Sequence, residues 1–310
     1  MRSSTSPRKT WAVWCRSWGF LFSLALLSSC GSSEPWADRF QGDRCWNDLK
    51  AQTAIGPRPS GTPELEKTRQ YLERELRAAG WKVTRQTFSA DTPGRGRIEY
   101  CNLIAAGDWP PSKPVLVLAS HYDTKWLPKI RFVGANDGAS STACLLEIAR
   151  CLRSRRDEFA LVFFDGEEAV VDYTENDGLF GSRHFQKVAE KEEWLKNLRG
   201  LVLMDMVGDA DLNVAIPDGD PALIRDLFEA AEKVGTRGHF SLLGTGMVDD
   251  HSPFLLSAVP AVDLIDFRYG PANSYWHTEQ DNDSHVSAES LRIVGRTVLQ
   301  FLQDGTADRK

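Results

Sequence analysis

The sequence predicts an α/β fold: a single domain with a mostly parallel central sheet flanked by helices. Short apolar runs, of the kind that form buried parallel strands, alternate along the chain with amphipathic stretches of helical period. Side chains that can bind a metal directly follow several of these runs, as expected where the carboxyl ends of parallel strands form a ligand-binding crevice. The chain has 310 residues, 42% of them hydrophobic, and neither a repeat nor a linker divides it, so one domain is expected.

Residues 1–29 are left out of this fold because they have the pattern of an export signal. Residues 1–16 carry four basic residues and no acid, and the apolar run over 18–27 is too short to span a bilayer. The next residues, Leu27-Ser28-Ser29-Cys30, resemble the lipobox of bacterial lipoproteins, in which the cysteine becomes the lipidated first residue. We therefore expect a signal peptide over 1–29, a tether over 30–36, a catalytic domain over 37–310, and a lipid anchor in the bacterial cell envelope (outer membrane or periplasmic face). The alternatives are a cleaved soluble signal and an uncleaved anchor.

The clearest helix signal lies just after the turn-rich stretch 56–61. Thr62 is a suitable N-cap, Pro63 suits the first helical position, and Gly80 ends the pattern after residue 79. The other predicted helices are 36–54, 139–155, 181–193, 221–234 and 288–302. The predicted strands are 83–88, 98–106, 115–119, 159–164, 201–204 and 259–265.

Charge narrows the choice of partners. The formal charge is −6, and no stripe or cluster of Lys and Arg occurs, so a nucleic-acid partner is not expected. The expected partners are the N-terminus of a peptide or protein, as substrate, and the membrane, through the lipid anchor. We expect the protein to be a monomer.

Four cysteines follow Cys30, and export would permit disulfides. Cys144 and Cys151 are seven residues apart in a helical pattern, about 10 Å along the axis, which is too far for a bond between them. They are expected to be buried thiols. A disulfide between Cys45 and Cys101 is compatible with the sequence, as are two free thiols.

One stretch, Leu161-Val-Phe-Phe-Asp-Gly-Glu167-Glu168, has the strongest chemical signal. Its apolar start predicts a buried strand, and two adjacent carboxylates stand where that strand should end. Two carboxylates in a crevice are costly to desolvate unless a positive charge, usually a metal, compensates them. Taken alone, the pair also fits the start of a solvated loop.

Metal-binding residue types recur at the ends of the other strands. His121 and Asp123 follow one apolar run, Asp205 follows another, Asp137 precedes a helix, and His277 lies after the last strand. Each has an ordinary structural explanation, such as a core histidine or a helix cap. Because all of them converge on one sheet edge, they predict a site for Zn²⁺, which prefers nitrogen and oxygen ligands of this kind.

The order His-x-Asp, Asp, Glu-Glu, Asp, His resembles that of the zinc aminopeptidases and of their relatives, the glutaminyl-peptide cyclotransferases. The resemblance runs from residue 56 to the last helix. It is closest to the cyclotransferases in these segments: His121-Tyr-Asp-Thr-Lys125, Phe132-Val-Gly-Ala135, Phe164-Asp-Gly-Glu-Glu-Ala169, Gly181-Ser-Arg-His184, Asp249-Asp-His-Ser-Pro-Phe254 and Trp276-His-Thr278.

This resemblance implies a set of site residues. Asp137, Glu168 and His277 would hold a zinc, and Glu167 would be the acid/base. Asp205 and Asp249 would support it as part of the catalytic group. Trp276 would form a wall of the substrate pocket.

Three positions depart from the cyclotransferase pattern. Tyr173 stands where a Trp is usual, Val248 stands where Gln is frequent, and the loop 271–275 lacks the usual aromatic near its start.

The implied activity is cyclisation of an N-terminal glutaminyl residue to pyroglutamate. Its α-amine lies within bending distance of its own γ-carbonyl, so the reaction needs orientation, a Lewis acid and a proton shuttle. The alternative is an aminopeptidase in which Glu167 deprotonates a water, with a second zinc on His121 and Asp205. One or two zincs therefore fit the sequence. A binding protein that only keeps the fold is disfavoured, since Glu167 would add nothing to it.

Overall fold

The computed structural model describes residue 1, residues 3–8 and residues 34–307, with side chains described as far as residue 305. Apart from residues 1 and 3–8, the predicted signal peptide 1–29 lies outside the described residues, as does the tether through residue 33. The described residues from Glu34 onward form one compact unit.

A six-stranded sheet forms the centre of this unit, in the order β1-β2-β4-β3-β5-β8. The strands β3, β4, β5 and β8 are parallel, whereas β1 and β2 form an antiparallel hairpin that joins the sheet through β2 and β4. A separate parallel pair is formed by β6 and β7. The strands are β1 (Lys82–Thr92), β2 (Gly96–Ala106), β3 (Val115–His121), β4 (Phe159–Phe164), β5 (Leu198–Asp205), β6 (Val214–Ile216), β7 (Phe240–Leu242) and β8 (Ala261–Ile265). The prediction of one α/β domain with a mostly parallel sheet is confirmed.

Helices cover both faces of the sheet. They are α1 (Gly42–Ile55), α2 (Pro63–Ala78), α3 (Ala139–Cys151), α4 (Phe180–Lys191), α5 (Pro221–Lys233), α6 (Ser252–Leu256) and α7 (Ala288–Ala307). Leu116 and Leu118 of β3 pack in one apolar cluster with α1, α2, α3, α5 and α7. Val117 and Ala119 pack in the other, with α4 and α6, because successive side chains of a strand point to opposite faces. Burying each large aliphatic side chain stabilises the fold by about 2 kcal/mol.

The parallel register brings the carboxyl ends of the strands to one edge. His121, the last residue of β3, is paired with Phe164, the last of β4, and Asp205 of β5 is paired with Ile265 of β8. Residues that follow these strands therefore emerge side by side, which is what assembles the site.

The first predicted helix, 36–54, is wrong as a single element. The chain forms a short 3-10 helix over Trp36–Arg39, turns extended at Phe40, and only then begins α1. Phe40 packs so closely on α7 that a Cβ at Gly295 would lie 2.1 Å from its ring. The chain turns here because the ring is inserted against the last helix. The predicted helix 139–155 ends earlier, at Cys151, and β6, β7 and α6 were not predicted.

All four cysteines of the described domain are buried free thiols, so Cys45 and Cys101 are not paired. Among the described residues, no helix combines the length and apolar character needed to cross a bilayer.

Candidate active site

Gly166 shapes the turn that carries the carboxylate pair out of β4. Its φ is +76°, and a Cβ at this position would lie 2.5 Å from the ring of Tyr100. Only glycine fits both requirements. The turn places Glu167 and Glu168 at the carboxyl edge of the sheet, beside the end of β3.

Within the part of the chain that the structure describes, two groups have ligand atoms that all lie within 4.8 Å of one another, and one of them consists of Asp137, Glu168 and His277. Nε2 of His277 is 3.2 Å from Oδ2 of Asp137 and 3.3 Å from Oε2 of Glu168. Both carboxylates are buried, yet Oδ2 of Asp137 and both oxygens of Glu168 have no hydrogen-bond partner. Because buried carboxylates need a partner, this group fits a bound cation, and its nitrogen and oxygen donors suit Zn²⁺.

The protonation of His277 agrees with this fit. Burial lowers the pKa of the imidazole, but Glu168 and Asp137 outweigh that effect and raise it to about 9. Binding of a metal to Nε2 would therefore release a proton.

His121, Asp137 and Asp205 form the second group. Nε2 of His121 is 3.1 Å from Oδ1 of Asp205 and 3.3 Å from Oδ1 of Asp137. Asp137 thus turns one oxygen toward each imidazole. The close contact of Asp205 is with His121, whereas the resemblance implies a supporting role for it beside Glu167.

Glu167 adjoins Glu168 in the chain and is only 5% exposed. Its backbone N–H donates to Oδ1 of Asp123, 3.2 Å away. Burial raises the pKa of the Glu167 carboxyl well above its usual range; Glu168 adds to the rise and His121 opposes it. A carboxyl held in this way can take up and return a proton.

Asp249 is buried just before α6. Its Oδ1 accepts from the backbone N–H of Asp250, and its own N–H donates to Oγ of Ser252, 3.2 Å away. Burial raises its pKa well above the usual range, and Asp263 adds most to that rise among its charged neighbours, which include Glu167. Its proton affinity is thus linked to that of Glu167.

A cavity of about 410 Å³ opens onto Glu167 and Glu168. The indole of Trp276 stacks on the His277 ring with centroids 3.8 Å apart, and Phe267 meets the indole edge-on at 4.9 Å. The remaining wall residues include Asp172, Tyr173, Met206, Met247, Val248 and Ile265. The cavity therefore joins an apolar wall to a carboxylate floor.

Sequence reasoning missed Phe267, which lies two residues after β8 and supplies a pocket aromatic, while the loop 271–275 supplies none. The available signal was the Phe-Arg-Tyr run over 267–269, which begins two residues after the last predicted strand. Lys125, which belongs to a segment shared with the cyclotransferases, also lies at this site. Its Nζ lies 3.6 Å from Oε2 of Glu168 and donates to the carbonyl of Ala169 at 2.6 Å. A cation thus adjoins a predicted ligand.

Comparison with known proteins places this site in a family. The chain matches peptidase family M28 over residues 102–302. It is 31% identical over 282 residues to a glutaminyl-peptide cyclotransferase of Drosophila melanogaster, covering 81% of this chain and 78% of that protein.

Solved structures agree with the sequence match. A glutaminyl cyclase of an Acidobacteriales bacterium superposes with a TM-score of 0.79 at 35% identity, covering 86% of this chain and 94% of that one. A leucine aminopeptidase precursor of Bacteroides thetaiotaomicron superposes with a TM-score of 0.75 at 28% identity, covering 84% and 96%. The chain belongs to the zinc-dependent peptidase family M28 and, within it, to the glutaminyl-peptide cyclotransferases.

Proposed function

We propose that the protein cyclises N-terminal glutaminyl residues of peptides or proteins to pyroglutamate and releases ammonia, as an acyltransferase. The α-amine nitrogen bonds to the γ-carbonyl carbon, the bond from that carbon to the amide nitrogen breaks, and no water is consumed. The observation that carries the acid/base step of this proposal is the position of Glu167. It is buried, lines the cavity beside Glu168, and is not a member of the Asp137, Glu168 and His277 group.

In this proposal Asp137, Glu168 and His277 would hold one Zn²⁺, which would supply Lewis-acid chemistry at the γ-carbonyl. Glu167 takes a proton from the attacking amine and gives it to the departing ammonia.

In this proposal the apolar wall of the cavity orients the substrate and excludes water. Trp276 and Phe267 hold the small glutamine side chain in a bent conformation and keep water from the acyl carbon. Orientation of an intramolecular reaction can supply a large part of the rate, because the reacting groups already belong to one molecule. Exclusion of water keeps the product a lactam rather than a hydrolysed glutamate.

A second candidate is a two-zinc aminopeptidase. It is favoured by the second ligand group, in which Asp137 serves both sites. The relatives with higher identity carry the cyclase name, which makes cyclisation our first proposal.

Parallel assays separate the two candidates. Purified, zinc-loaded protein receives a Gln-peptide and, separately, Leu- and Ala-amides. We expect the Gln-peptide to lose the mass of one ammonia with no free amino acid. Release of free amino acids without cyclisation would overturn the proposal and establish the peptidase.

We also propose that the protein is exported as a monomer and anchored to the cell envelope by a lipid on Cys30. The support is the sequence pattern of residues 1–30. Cys30→Ser should abolish lipid labelling, whereas the matched Cys15→Ser variant of the same segment should keep it. Unchanged labelling of Cys30→Ser would refute the anchor.

A further inference from the structure

Asp281 lies outside every role described so far, yet it is fully buried, at 0% exposure. Its Oδ1 accepts from the backbone N–H of Asn136 at 2.6 Å and from the hydroxyl of Tyr269 at 3.1 Å. Its Oδ2 accepts from the backbone N–H of Asp137 at 3.1 Å. One carboxylate therefore bonds two consecutive amides, one of which belongs to a predicted metal ligand.

The segment that carries Asp137 depends on these bonds. It turns sharply between Gly134, with φ of +52°, and Gly138, with φ of +92°, before α3 begins. The amides of Asn136 and Asp137 precede the helix and donate to no helical carbonyl. Without the Asp281 carboxylate, two buried N–H groups would lose their acceptor.

The segment that carries His277 is also held by Asp281. His277 is held in the left-handed region, with φ of +55°, which non-glycine residues adopt only when their surroundings enforce it. On one side, the N–H of Tyr275 donates to the carbonyl of Tyr269 at 3.2 Å. On the other, the N–H of Asp281 donates to the carbonyl of Thr278 at 3.1 Å. Asp281 ties this turn to the Asp137 segment.

We propose that Asp281 is a positioning residue that fixes Asp137 and His277 relative to each other and so sets the affinity of the site for zinc. The inference rests on the ligand set of the proposed function. Asp281 touches neither the cavity nor the reacting atoms, so it acts only through the two ligand segments. Groups that orient metal ligands from outside typically change metal affinity by roughly 10- to 100-fold when they are removed.

The test is the zinc dissociation constant of the full domain, measured by competition with a chromophoric chelator. In Asp281→Asn, the amide NH₂ would face one of the two backbone N–H groups, so one bond is lost while size is kept. We expect zinc affinity to fall by roughly 10- to 100-fold. Tyr269→Phe removes only the hydroxyl contact and should lower the affinity less.

Asp48→Asn is the matched control. Asp48 is also a buried carboxylate that accepts from a tyrosine hydroxyl, that of Tyr71 at 2.6 Å, but it lies on α1. Its variant should lose thermal stability and keep the zinc affinity of the wild type. If Asp281→Asn bound zinc as tightly as the wild type, or if Asp48→Asn weakened zinc to the same extent, the positioning role would be overturned.

The His277→Ala variant shows whether a negative result for Asp281→Asn means that the role of Asp281 is wrong or that the assigned zinc ligands are wrong. If His277→Ala loses zinc while Asp281→Asn keeps it, only the inference about Asp281 fails. If His277→Ala keeps full affinity, the ligand assignment itself is wrong, whichever reaction the enzyme catalyses.

Discussion

Oδ2 of Asp137 lies 3.2 Å from Nε2 of His277, although 140 residues separate the two in the chain. The contact joins the segment before α3 to the loop after β8. With Glu168 nearby, it forms a donor set in which three buried carboxylate oxygens lack a hydrogen-bond partner, and this set fits a metal.

His277→Ala should remove zinc from the protein. It deletes the only nitrogen donor of the group that contains Glu168, and two carboxylates alone are a poor zinc site. Elemental analysis of purified, dialysed protein measures the loss. His239→Ala, at a half-buried histidine after α5, is the control and should keep its zinc. Full zinc content in His277→Ala would contradict the ligand assignment.

Phe267→Ala should raise KM for the substrate by a larger factor than it lowers kcat. The change removes the edge contact that braces Trp276, which is worth about 1 kcal/mol for such an aromatic pair, and leaves the carboxylates in place. We expect KM for a Gln-peptide to rise about fivefold, with zinc content unchanged. Leu242→Ala, at an exposed leucine outside the cavity, should leave KM unchanged. An unaltered KM in Phe267→Ala would show that the wall does not contact substrate.

Most of the order of elements, and the convergence of the metal-binding residue types on one sheet edge, could be predicted from sequence because they follow general rules. His121, Asp205 and the Glu167–Glu168 pair each stand where an apolar strand ends, and parallel strands bring such positions together. The roles of these residues came from family resemblance, since a donor set alone does not distinguish a cyclase from a peptidase.

Other features depend on contacts between distant segments and leave no local signal. The break at Phe40 exists because its ring packs against Gly295 of the last helix. Asp281 bonds Asn136 and Asp137 across more than 140 residues. The short strands β6 and β7, three residues each, are too brief for a periodic pattern.

His251 should make folding stability sensitive to acid. Burial lowers the pKa of this imidazole to about 4, with Asp218, 4.0 Å away, opposing the shift. The pKa of a histidine in an unfolded chain is about 6.5. Between pH 6.5 and pH 4, the unfolded chain therefore binds a proton at His251, whereas the folded protein does not. The free energy of unfolding should therefore fall by about 3 kcal/mol as the pH is lowered from 6.5 toward 4.

The measurement is urea unfolding of the wild type and of His251→Gln at pH 7, 5.5 and 4, with chelator present so that both lack metal. The wild type should lose more free energy of unfolding than the variant over this range. Parallel pH profiles of the two proteins would show that His251 does not contribute the effect.

The central claim is that Glu167 moves the proton between amine and leaving ammonia, and Glu167→Gln tests it most directly. The amide keeps the size of the side chain but cannot accept the proton. The fold and zinc content should stay intact, and turnover of a Gln-peptide should fall by a factor on the order of 10² to 10⁴. Asp249→Asn should lower turnover less, because it disturbs only the residue that supports Glu167. Glu175→Gln, at an exposed glutamate of the following loop, is the control and should leave turnover unchanged. If zinc-loaded Glu167→Gln cyclised glutamine at nearly the wild-type rate, another group would have to be the proton shuttle and the claim would be wrong.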